Sequence, residues 1–258
     1  MRRMDRCILL LAGSPGAHQP GGKTWSLSIV RFLDQFDVVL LDMNGTFMFG
    51  HDRLGPGEDF HRTYQAVGGR KLDREALTGI MRSTCDALLS AYDDPAHFDD
   101  FPTLREAFPQ YGGAPPEEIE ILEQVFARHE LGTCPPDHVE FLHRLAGTHR
   151  LGIVSNICAP PSAVEAQLLE AGLAGVFTHT AFSSAARSIK PSLMIFRSAL
   201  AALPADSRVL FVGDSLERDI RPARELRLGT AWIAPPGAAA PEADVVIASL
   251  PDLDTLPL

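Results

Sequence analysis

The chain has 258 residues, 45% of them hydrophobic, which suits one large domain or a core that carries an inserted domain. Its formal net charge is −10, and this argues against nucleic acid as a general partner, because contact with a phosphate backbone needs a basic surface. The sequence holds no apolar stretch approaching the ~20 residues that cross a bilayer, so we expect no membrane association.

The cysteines and the start of the chain favour a cytoplasmic protein. The cysteines lie far apart and form no C-x-x-C pair, which is more typical of reduced thiols than of disulfides; they are Cys7, Cys85, Cys134 and Cys158. Met1-Arg2-Arg3 and the apolar run after it faintly resemble a signal peptide. That run is short and Asp5 interrupts the basic region, so we favour the cytoplasm over secretion.

Residues 1–35 form an N-terminal extension of unknown role. Their pattern predicts a short strand at Ile8–Leu11, a loop, and a helix at Ser26–Gln35. The loop contains residues 17–24, AHQPGGKT, which fit a loose phosphate-loop pattern with alanine at the first glycine position. A nucleotide-binding domain needs several further strands, and Pro20 is unfavourable at its position in such a loop. We therefore interpret the stretch as a Gly/Pro-rich leader or as an over-extended start of the reading frame.

Three short apolar runs further along the chain each end in polar residues. The runs, with the residues that follow them, are Val38–Leu41 with Asp42-Met43-Asn44-Gly45-Thr46, Leu151–Val154 with Ser155-Asn156, and Val209–Val212 with Gly213-Asp214-Ser215. Such runs are typical of buried parallel strands. Because ligands bind at the carboxyl ends of the strands in open α/β sheets, we expect Asp42, Ser155 and Asp214 to converge.

Between the first two runs the pattern changes to helices and loops. Apolar residues at helical spacing predict a helix at Arg74–Tyr92. A proline at the start and two acidic residues in the first turn predict another at Pro116–His129, and a shorter helix is expected at Leu104–Phe108.

The second half of the chain alternates between strands and helices. The predicted elements are strand 151–154, helix 163–171, strand 177–182, helix 192–202, strand 209–212, helix 217–226, strand 230–233 and strand 245–247. This alternation is typical of a parallel sheet with right-handed crossovers.

These residues resemble the motifs of the haloacid dehalogenase superfamily, whose commonest members are magnesium-dependent phosphatases. The matching positions are Asp42–Thr46 for D-x-D-x-T, Ser155 at a strand end, Lys190-Pro191, and Gly213-Asp214 with Asp219. The resemblance covers roughly residues 36–258. It implies a doubly wound, Rossmann-like α/β core at 36–49 and 137–258, with a helical cap inserted at 50–136.

The resemblance also implies an activity and a set of roles. Asp42 would be the nucleophile that forms an aspartyl-phosphate. Mg²⁺ would be held by the Asp42 and Asp214 carboxylates and the backbone carbonyl of Asn44, with Asp219 orienting a metal-bound water or Lys190. The substrate would be a small phosphorylated metabolite that the cap selects.

Four residues are expected to contact the substrate: Thr46, Ser155, Asn156 and Lys190. Ser155 and the neighbouring backbone amides would hold phosphate oxygens. Lys190 would offset the negative charge where two acids and a phosphate meet.

Asn44 departs from the family pattern, because it stands where acid/base members carry a second aspartate. A carboxamide cannot protonate a leaving alcohol at neutral pH, so three interpretations stay open. The protein is a slow phosphatase or uses another base, for example from the cap. Alternatively it cleaves phosphonates or acyl phosphates, whose leaving group needs no acid, or it has kept binding and lost turnover. Haloacid dehalogenation is less favoured, because those relatives work without the metal and lack the acid corresponding to Asp214.

Three further patterns have plainer interpretations. Cys134 and His138 have ligand spacing, but no second pair completes a zinc site. Lys71 has the residue type of a Schiff-base lysine, although nothing around it matches a motif. The arginines that recur every three residues are interpreted as a solvated, ion-paired helix face; they are Arg218, Arg221, Arg224 and Arg227.

Overall fold

The structure, a computed structural model, describes residues 31–239 and 241–258. The predicted strand Ile8–Leu11 and the AHQPGGKT stretch lie outside the described residues. Of the predicted helix Ser26–Gln35, the described part holds a short 3-10 turn at Phe32–Gln35, and Leu33 in that turn packs into the core.

One sheet of six parallel strands forms the centre of the molecule. The strands are β1 Val38–Leu41, β2 Arg150–Ser155, β3 Phe177–Phe182, β4 Val209–Gly213, β5 Gly229–Ile233 and β6 Val245–Ile247. Their order in the sheet is β3-β2-β1-β4-β5-β6. Leu41 at the end of β1 pairs with Ile153 of β2 and Val212 of β4, so the three central strands end at the same edge.

The helices divide into those that cover the sheet and those that lie between β1 and β2 in the chain. They are α1 Phe60–Ala66, α2 Arg74–Asp93, α3 Leu104–Gly112, α4 Ile119–Glu130, α5 Pro136–Ala146, α6 Pro161–Glu170, α7 Ser183–Ala186, α8 Leu193–Leu200 and α9 Arg221–Glu225. Alternate residues of β1 point to opposite faces. Val39 and Leu41 pack into a core shared with α5 and α6, whereas Val38 and Leu40 pack with α8 and α9. Both faces are covered, as the doubly wound α/β prediction requires.

Helices α1–α4 share a hydrophobic core of their own, which includes Phe60, Leu77, Phe108 and Phe126. Side-chain caps define where these helices begin, since the Asp73 carboxylate accepts from the Ala76 N–H at 2.8 Å and Thr103 forms a capping box with Glu106. This cluster is called the cap below. Its predicted limits at residues 50 and 136 stay a prediction.

Several element bounds differ from the sequence expectation. Helices α1 and α5 are not among the elements that the sequence analysis predicts. The helix expected at 217–226 is a π-helical turn, Leu216–Ile220, followed by α9, and the helix expected at Pro116–His129 starts with a 3-10 turn. The strands expected at 177–182 and 245–247 are confirmed at those bounds. Among the described residues, no helix is both long and apolar enough to cross a membrane.

Candidate active site

Asp42 lies directly after β1, at the edge where the central strands end. Its N–H donates to the Val212 carbonyl at 2.9 Å, which continues the pairing with β4 by one residue. Its Oδ1 accepts hydrogen bonds from Ser155 Oγ at 2.8 Å and from Lys190 Nζ at 2.6 Å. Two donors on one oxygen fix the rotation of the carboxylate, so the expected convergence of Asp42 and Ser155 is present.

Lys190 joins two carboxylates inside the protein. Its Nζ donates to Asp42 Oδ1 and to Asp219 Oδ1, each at 2.6 Å, and its side chain is 3% exposed. Burial alone would lower the pKa of Lys190, but the Asp219 and Asp42 carboxylates hold that pKa above its usual range. The lysine is therefore a positive charge at physiological pH.

Asp219 is held in place by the π-helical turn Leu216–Ile220. The Ser215 N–H donates to Asp219 Oδ2 at 2.9 Å. Burial raises the pKa of Asp219, and the Lys190 ammonium opposes that shift. A glycine at 213 is needed for this packing, because a Cβ there would lie 2.5 Å from Asp219 Cγ.

Three carboxylates face one another at this edge of the sheet. Oxygen atoms of Asp42, Asp214 and Asp219 lie within 4.8 Å of one another. Burial, and after it the Asp42 carboxylate, raises the pKa of Asp214, as expected where like charges meet. Clustered carboxylate oxygens are the ligands that Mg²⁺ prefers. The residues present therefore fit the predicted cation.

The loop after β1 brings Asn44 next to this cluster. Gly45 has a φ of +77°, and a Cβ there would lie 2.3 Å from Asp214 Oδ2, so the loop approaches the carboxylate as only glycine allows. The Asn44–Gly45 peptide is thus beside Asp214, where a backbone ligand was predicted. Asn44 Oδ1 is buried, and it has no hydrogen-bond partner among the described residues.

Thr46 lies in a tight turn of the loop that follows β1. The tight turn, in which the Thr46 N–H donates to the Met43 carbonyl at 3.3 Å, buries its side chain completely. Thr46 is absent from the residues that line the catalytic cavity described below. The predicted substrate contact of Thr46 has no support in this arrangement.

Asn156 positions Lys190 from the end of β2. Its Oδ1 accepts from the Lys190 N–H at 2.7 Å, and its Nδ2 donates to the Lys190 carbonyl at 3.1 Å. The same Nδ2 donates to the Tyr92 hydroxyl on α2 at 3.3 Å. Asn156 therefore links Lys190 to the cap, and its role at the substrate stays a prediction.

Arg218 corrects the interpretation of the four arginines as a solvated face. Its guanidinium donates to the carbonyls of Lys190 at 2.7 Å and Tyr92 at 2.9 Å, and it lies 3.7 Å from the centre of the Tyr92 ring. The π-helical turn changes the residue spacing and directs this side chain inward, which regular helical spacing does not anticipate. Arg221 pairs with Glu217 and Glu242 on the surface, as expected.

His51 and Asp52 are two of the residues at the site that sequence motifs did not find. Asp52 has a φ of 54°, and its N–H donates to the Glu130 carbonyl at 3.0 Å. His51 Nε2 lies 3.6 Å from Asp52 Oδ2, and His51 Nδ1 is buried without a partner among the described residues. Burial raises the pKa of Asp52, which His51 lowers and Asp42 raises further.

These side chains enclose a polar space of about 300 Å³, the candidate active site, which we call the catalytic cavity. Its lining brings together most of the residues predicted for the site: Asp42, Asn44, Ser155, Asn156, Lys190, Asp214 and Asp219. His51, Asp52, Tyr92, Ser215 and Arg218 complete it. The cavity therefore combines a fixed carboxylate, a buried ammonium and a carboxylate cluster suited to a cation.

The remaining candidates lie elsewhere and have structural partners. Cys134 Sγ contacts the Pro135 carbonyl, and His138 contacts Asp137 and Ser249. Lys71 is exposed and lies 3.6 Å from Glu117 and Glu118. Neither the Cys134 and His138 pair nor Lys71 lines the catalytic cavity.

A family model agrees with the fold and the motif order. The model for haloacid dehalogenase-like hydrolases matches residues 36–227. The chain belongs to this family. A sequence comparison of this haloacid dehalogenase-like hydrolase with curated proteins found no match.

Solved structures similar to this hydrolase include proteins of more than one activity. A HAD-type hydrolase from Bacillus subtilis bound to magnesium has a TM-score of 0.55 at 16% identity, over 85% of this chain and 97% of that one. A HAD phosphatase from Thermococcus onnurineus has a TM-score of 0.55 at 22% identity, over 84% of this chain and 95% of that one. An L-2-haloacid dehalogenase from Xanthobacter autotrophicus with covalently bound chloropropionic acid has a TM-score of 0.52 at 22% identity, over 84% of this chain and 96% of that one. At such identities the likeness establishes the fold and leaves the reaction open.

Proposed function

We propose that this hydrolase removes phosphate from a small phosphorylated metabolite, with Mg²⁺ as its cofactor. The observation that carries the proposal is the cluster of Asp42, Asp214 and Asp219 around one edge of the sheet. A phosphate and three carboxylates repel one another unless cations offset their charge. The family resemblance adds that relatives cleaving carbon–halogen bonds lack the acid corresponding to Asp214.

Asp42 begins the reaction in this proposal. Ser155 and Lys190 hold its Oδ1, which orients the carboxylate toward the phosphorus. A bond forms between a carboxylate oxygen and phosphorus, while the bond between phosphorus and the leaving alcohol oxygen breaks. The electron pair of that bond leaves on the alcohol oxygen, which takes up a proton. The product is an aspartyl-phosphate at Asp42.

The second half of the reaction restores the enzyme. Water attacks the phosphorus, the bond to Asp42 breaks, and inorganic phosphate and the free carboxylate result. Mg²⁺ held by Asp42, Asp214 and the Asn44 carbonyl would offset the negative charge of the phosphoryl group. Lys190 adds a fixed positive charge beside the same carboxylate.

The proton transfers need a residue other than Asn44. His51 takes this role in the proposal, because it lines the catalytic cavity together with Asp42 and imidazole is the side chain that most often serves as a general acid and base. Its Nε2 is the nitrogen that gives and takes the proton, since Nδ1 is buried. Asp52 Oδ2, 3.6 Å from Nε2, stabilises the protonated ring.

Parallel assays of phosphate and halide release test the proposed activity. Purified protein is incubated with alkyl, aryl and acyl phosphates, phosphonates and 2-chloropropionate, with Mg²⁺ or with EDTA. We expect phosphate release that needs Mg²⁺ and is abolished by Asp42→Asn and strongly reduced by Asp214→Asn. Phosphate release that Asp42→Asn leaves unchanged would refute the assignment of the nucleophile.

Two other functions have distinct outcomes in the same experiment. Dehalogenation is one alternative, because the similar Xanthobacter autotrophicus structure is a haloacid dehalogenase. It predicts halide release in EDTA and no phosphate release. A binding protein without turnover, which Asn44 favours, predicts that beryllium fluoride is trapped at Asp42 with Mg²⁺ while no substrate is converted.

A further inference from the structure

A second and larger cavity, of about 480 Å³, lies beside the catalytic cavity. Asp52, Tyr92 and Asn156 line both spaces, so the two cavities meet at these side chains. Most of the other lining residues belong to the cap and to the segment that leads into it. A group attached to a phosphate at Asp42 would extend into this second cavity, which we call the cap cavity.

The walls of the cap cavity are mainly apolar. The side chains that give it this character are Leu54, Leu88, Leu89, Phe101, Phe126 and Ile189. Leu88, Phe101, Phe126 and Ile189 are buried in the hydrophobic core of the cap, so they form a fixed surface. Such walls bind an apolar group by removing its surface from water.

The charged groups along the cap cavity are all acidic. They are Asp52, Asp86 and Glu130, and no lysine, arginine or histidine of residues 31–239 and 241–258 lines this space. Glu130 accepts the N–H groups of Cys158 at 2.7 Å and Ala159 at 2.6 Å, so its carboxyl is held in one place. Burial raises the pKa of Glu130 to about 7, against the lowering effect of these two hydrogen bonds.

Lys190 and Arg218, the lysine and the arginine that line the neighbouring catalytic cavity, already have hydrogen-bond partners. Arg218 donates to the Lys190 and Tyr92 carbonyls and packs on the Tyr92 ring. Lys190 donates to Asp42 and Asp219. A second anionic group on a substrate would therefore enter an apolar, acidic space without a counter-ion, which is energetically costly.

We propose that the substrate is a phosphate monoester of an apolar alcohol that carries no second anionic group. This inference rests on the proposed phosphatase function and adds the chemistry of the leaving group. Simple alkyl or aryl phosphates fit the cap cavity, whereas esters of hydroxy acids and bisphosphates do not.

A matched pair of esters tests this inference. Hexyl phosphate and 6-phosphonooxyhexanoate share a six-carbon chain and differ by a terminal carboxylate. We expect kcat/KM to be at least about tenfold higher for hexyl phosphate, because the carboxylate finds no partner. Acetyl phosphate, whose leaving group is small, reports phosphatase activity independently of the cap cavity.

Leu89 lines the cap cavity and its side chain is 64% exposed, so a positive charge can be introduced there by substitution. Leu89→Lys places an ammonium there. It should lower the ratio of kcat/KM for hexyl phosphate to kcat/KM for 6-phosphonooxyhexanoate several-fold. Leu89→Gln changes polarity without charge and is the matched control, for which we expect much less narrowing.

The outcomes separate this inference from the function on which it rests. Equal kcat/KM values for the two esters, with acetyl phosphate hydrolysed, would overturn the substrate class and leave the phosphatase proposal standing. Absence of phosphate release from all three compounds would overturn both. The ratio of the two kcat/KM values in the wild-type protein tests the substrate class even if Leu89→Lys does not fold.

Discussion

Lys190 Nζ lies 2.6 Å from Asp42 Oδ1, and both side chains are almost completely buried. The same ammonium contacts Asp219 at the same distance. A buried cation shared by two carboxylates should serve the proposed chemistry and the stability of the fold together, because burial leaves these carboxylates little contact with solvent that could replace the lysine.

The first prediction separates these two contributions of Lys190. Lys190→Met should lower kcat/KM roughly 10²-fold or more, since a preorganised charge is lost. It should also lower the free energy of unfolding by about 3–5 kcal/mol, the usual cost of leaving a buried charge unpaired. Adding Asp219→Asn should recover part of the stability and none of the activity, as measured by urea unfolding and phosphate release. Full stability in Lys190→Met would contradict the buried ion pairs.

Asn44→Asp tests the consequence of the missing carboxylate. We expect kcat/KM for an alkyl phosphate to rise by roughly tenfold, a part of the 10²–10⁴-fold that a positioned acid/base contributes. The change should be small for an acyl phosphate, whose leaving group needs little protonation. An unchanged alkyl-phosphate rate in a variant that still binds Mg²⁺ would mean that Asn44 does not limit the chemistry.

His51→Gln tests the proposed replacement for that carboxylate. We expect kcat/KM for an alkyl phosphate to fall by roughly 10²-fold, with a smaller effect on an acyl phosphate, because leaving-group protonation is what the imidazole supplies. Asp52→Asn is the companion variant and should give a weaker loss. Equal losses for both substrates would indicate that His51 acts by structure alone.

The parts of the site that followed from the sequence are those fixed by strand ends. Asp42, Ser155 and Asp214 converge because Leu41 pairs with Ile153 and Val212, and parallel strands must end at a common edge. The positions of these three residues are set by the sheet and do not depend on the cap.

The residues that the sequence missed depend on irregular backbone. Arg218 turns inward from a π-helical turn, and Asp52 adopts a left-handed conformation in the loop that enters the cap. Periodicity does not encode either geometry, since both arise from contacts made after folding. Thr46 is fully buried in a tight turn and does not line the catalytic cavity, so its substrate contact stays a prediction.

Glu130 makes stability depend on pH in a defined direction. Burial raises its pKa from the usual 4.5 to about 7, so the folded protein keeps a proton that the unfolded chain has released. The protonated carboxyl therefore adds to the free energy of unfolding, on the order of 3 kcal/mol in all. This stabilisation is fully present below pH 4.5 and is lost as pH rises through 7. The unfolding free energy of wild type minus that of Glu130→Gln should therefore fall across this window.

Glu120→Gln, on the exposed side of the same helix α4, is the control for that experiment. Its difference from wild type should stay flat over the same pH range, as followed by urea unfolding at each pH. A rise with pH in the Glu130→Gln difference would contradict the raised pKa of this carboxyl.

Detection of a phosphoryl group on Asp42 tests the central claim most directly. The protein is mixed with acetyl phosphate and Mg²⁺, quenched in acid, and the peptide that contains Asp42 is examined by mass spectrometry, with Asp42→Asn as control. We predict an acid-stable, base-labile phosphoryl adduct on that peptide in wild type and none in the variant or in EDTA. An enzyme that releases phosphate without this adduct, or an alkyl adduct on Asp42 after incubation with 2-chloropropionate, would contradict the account.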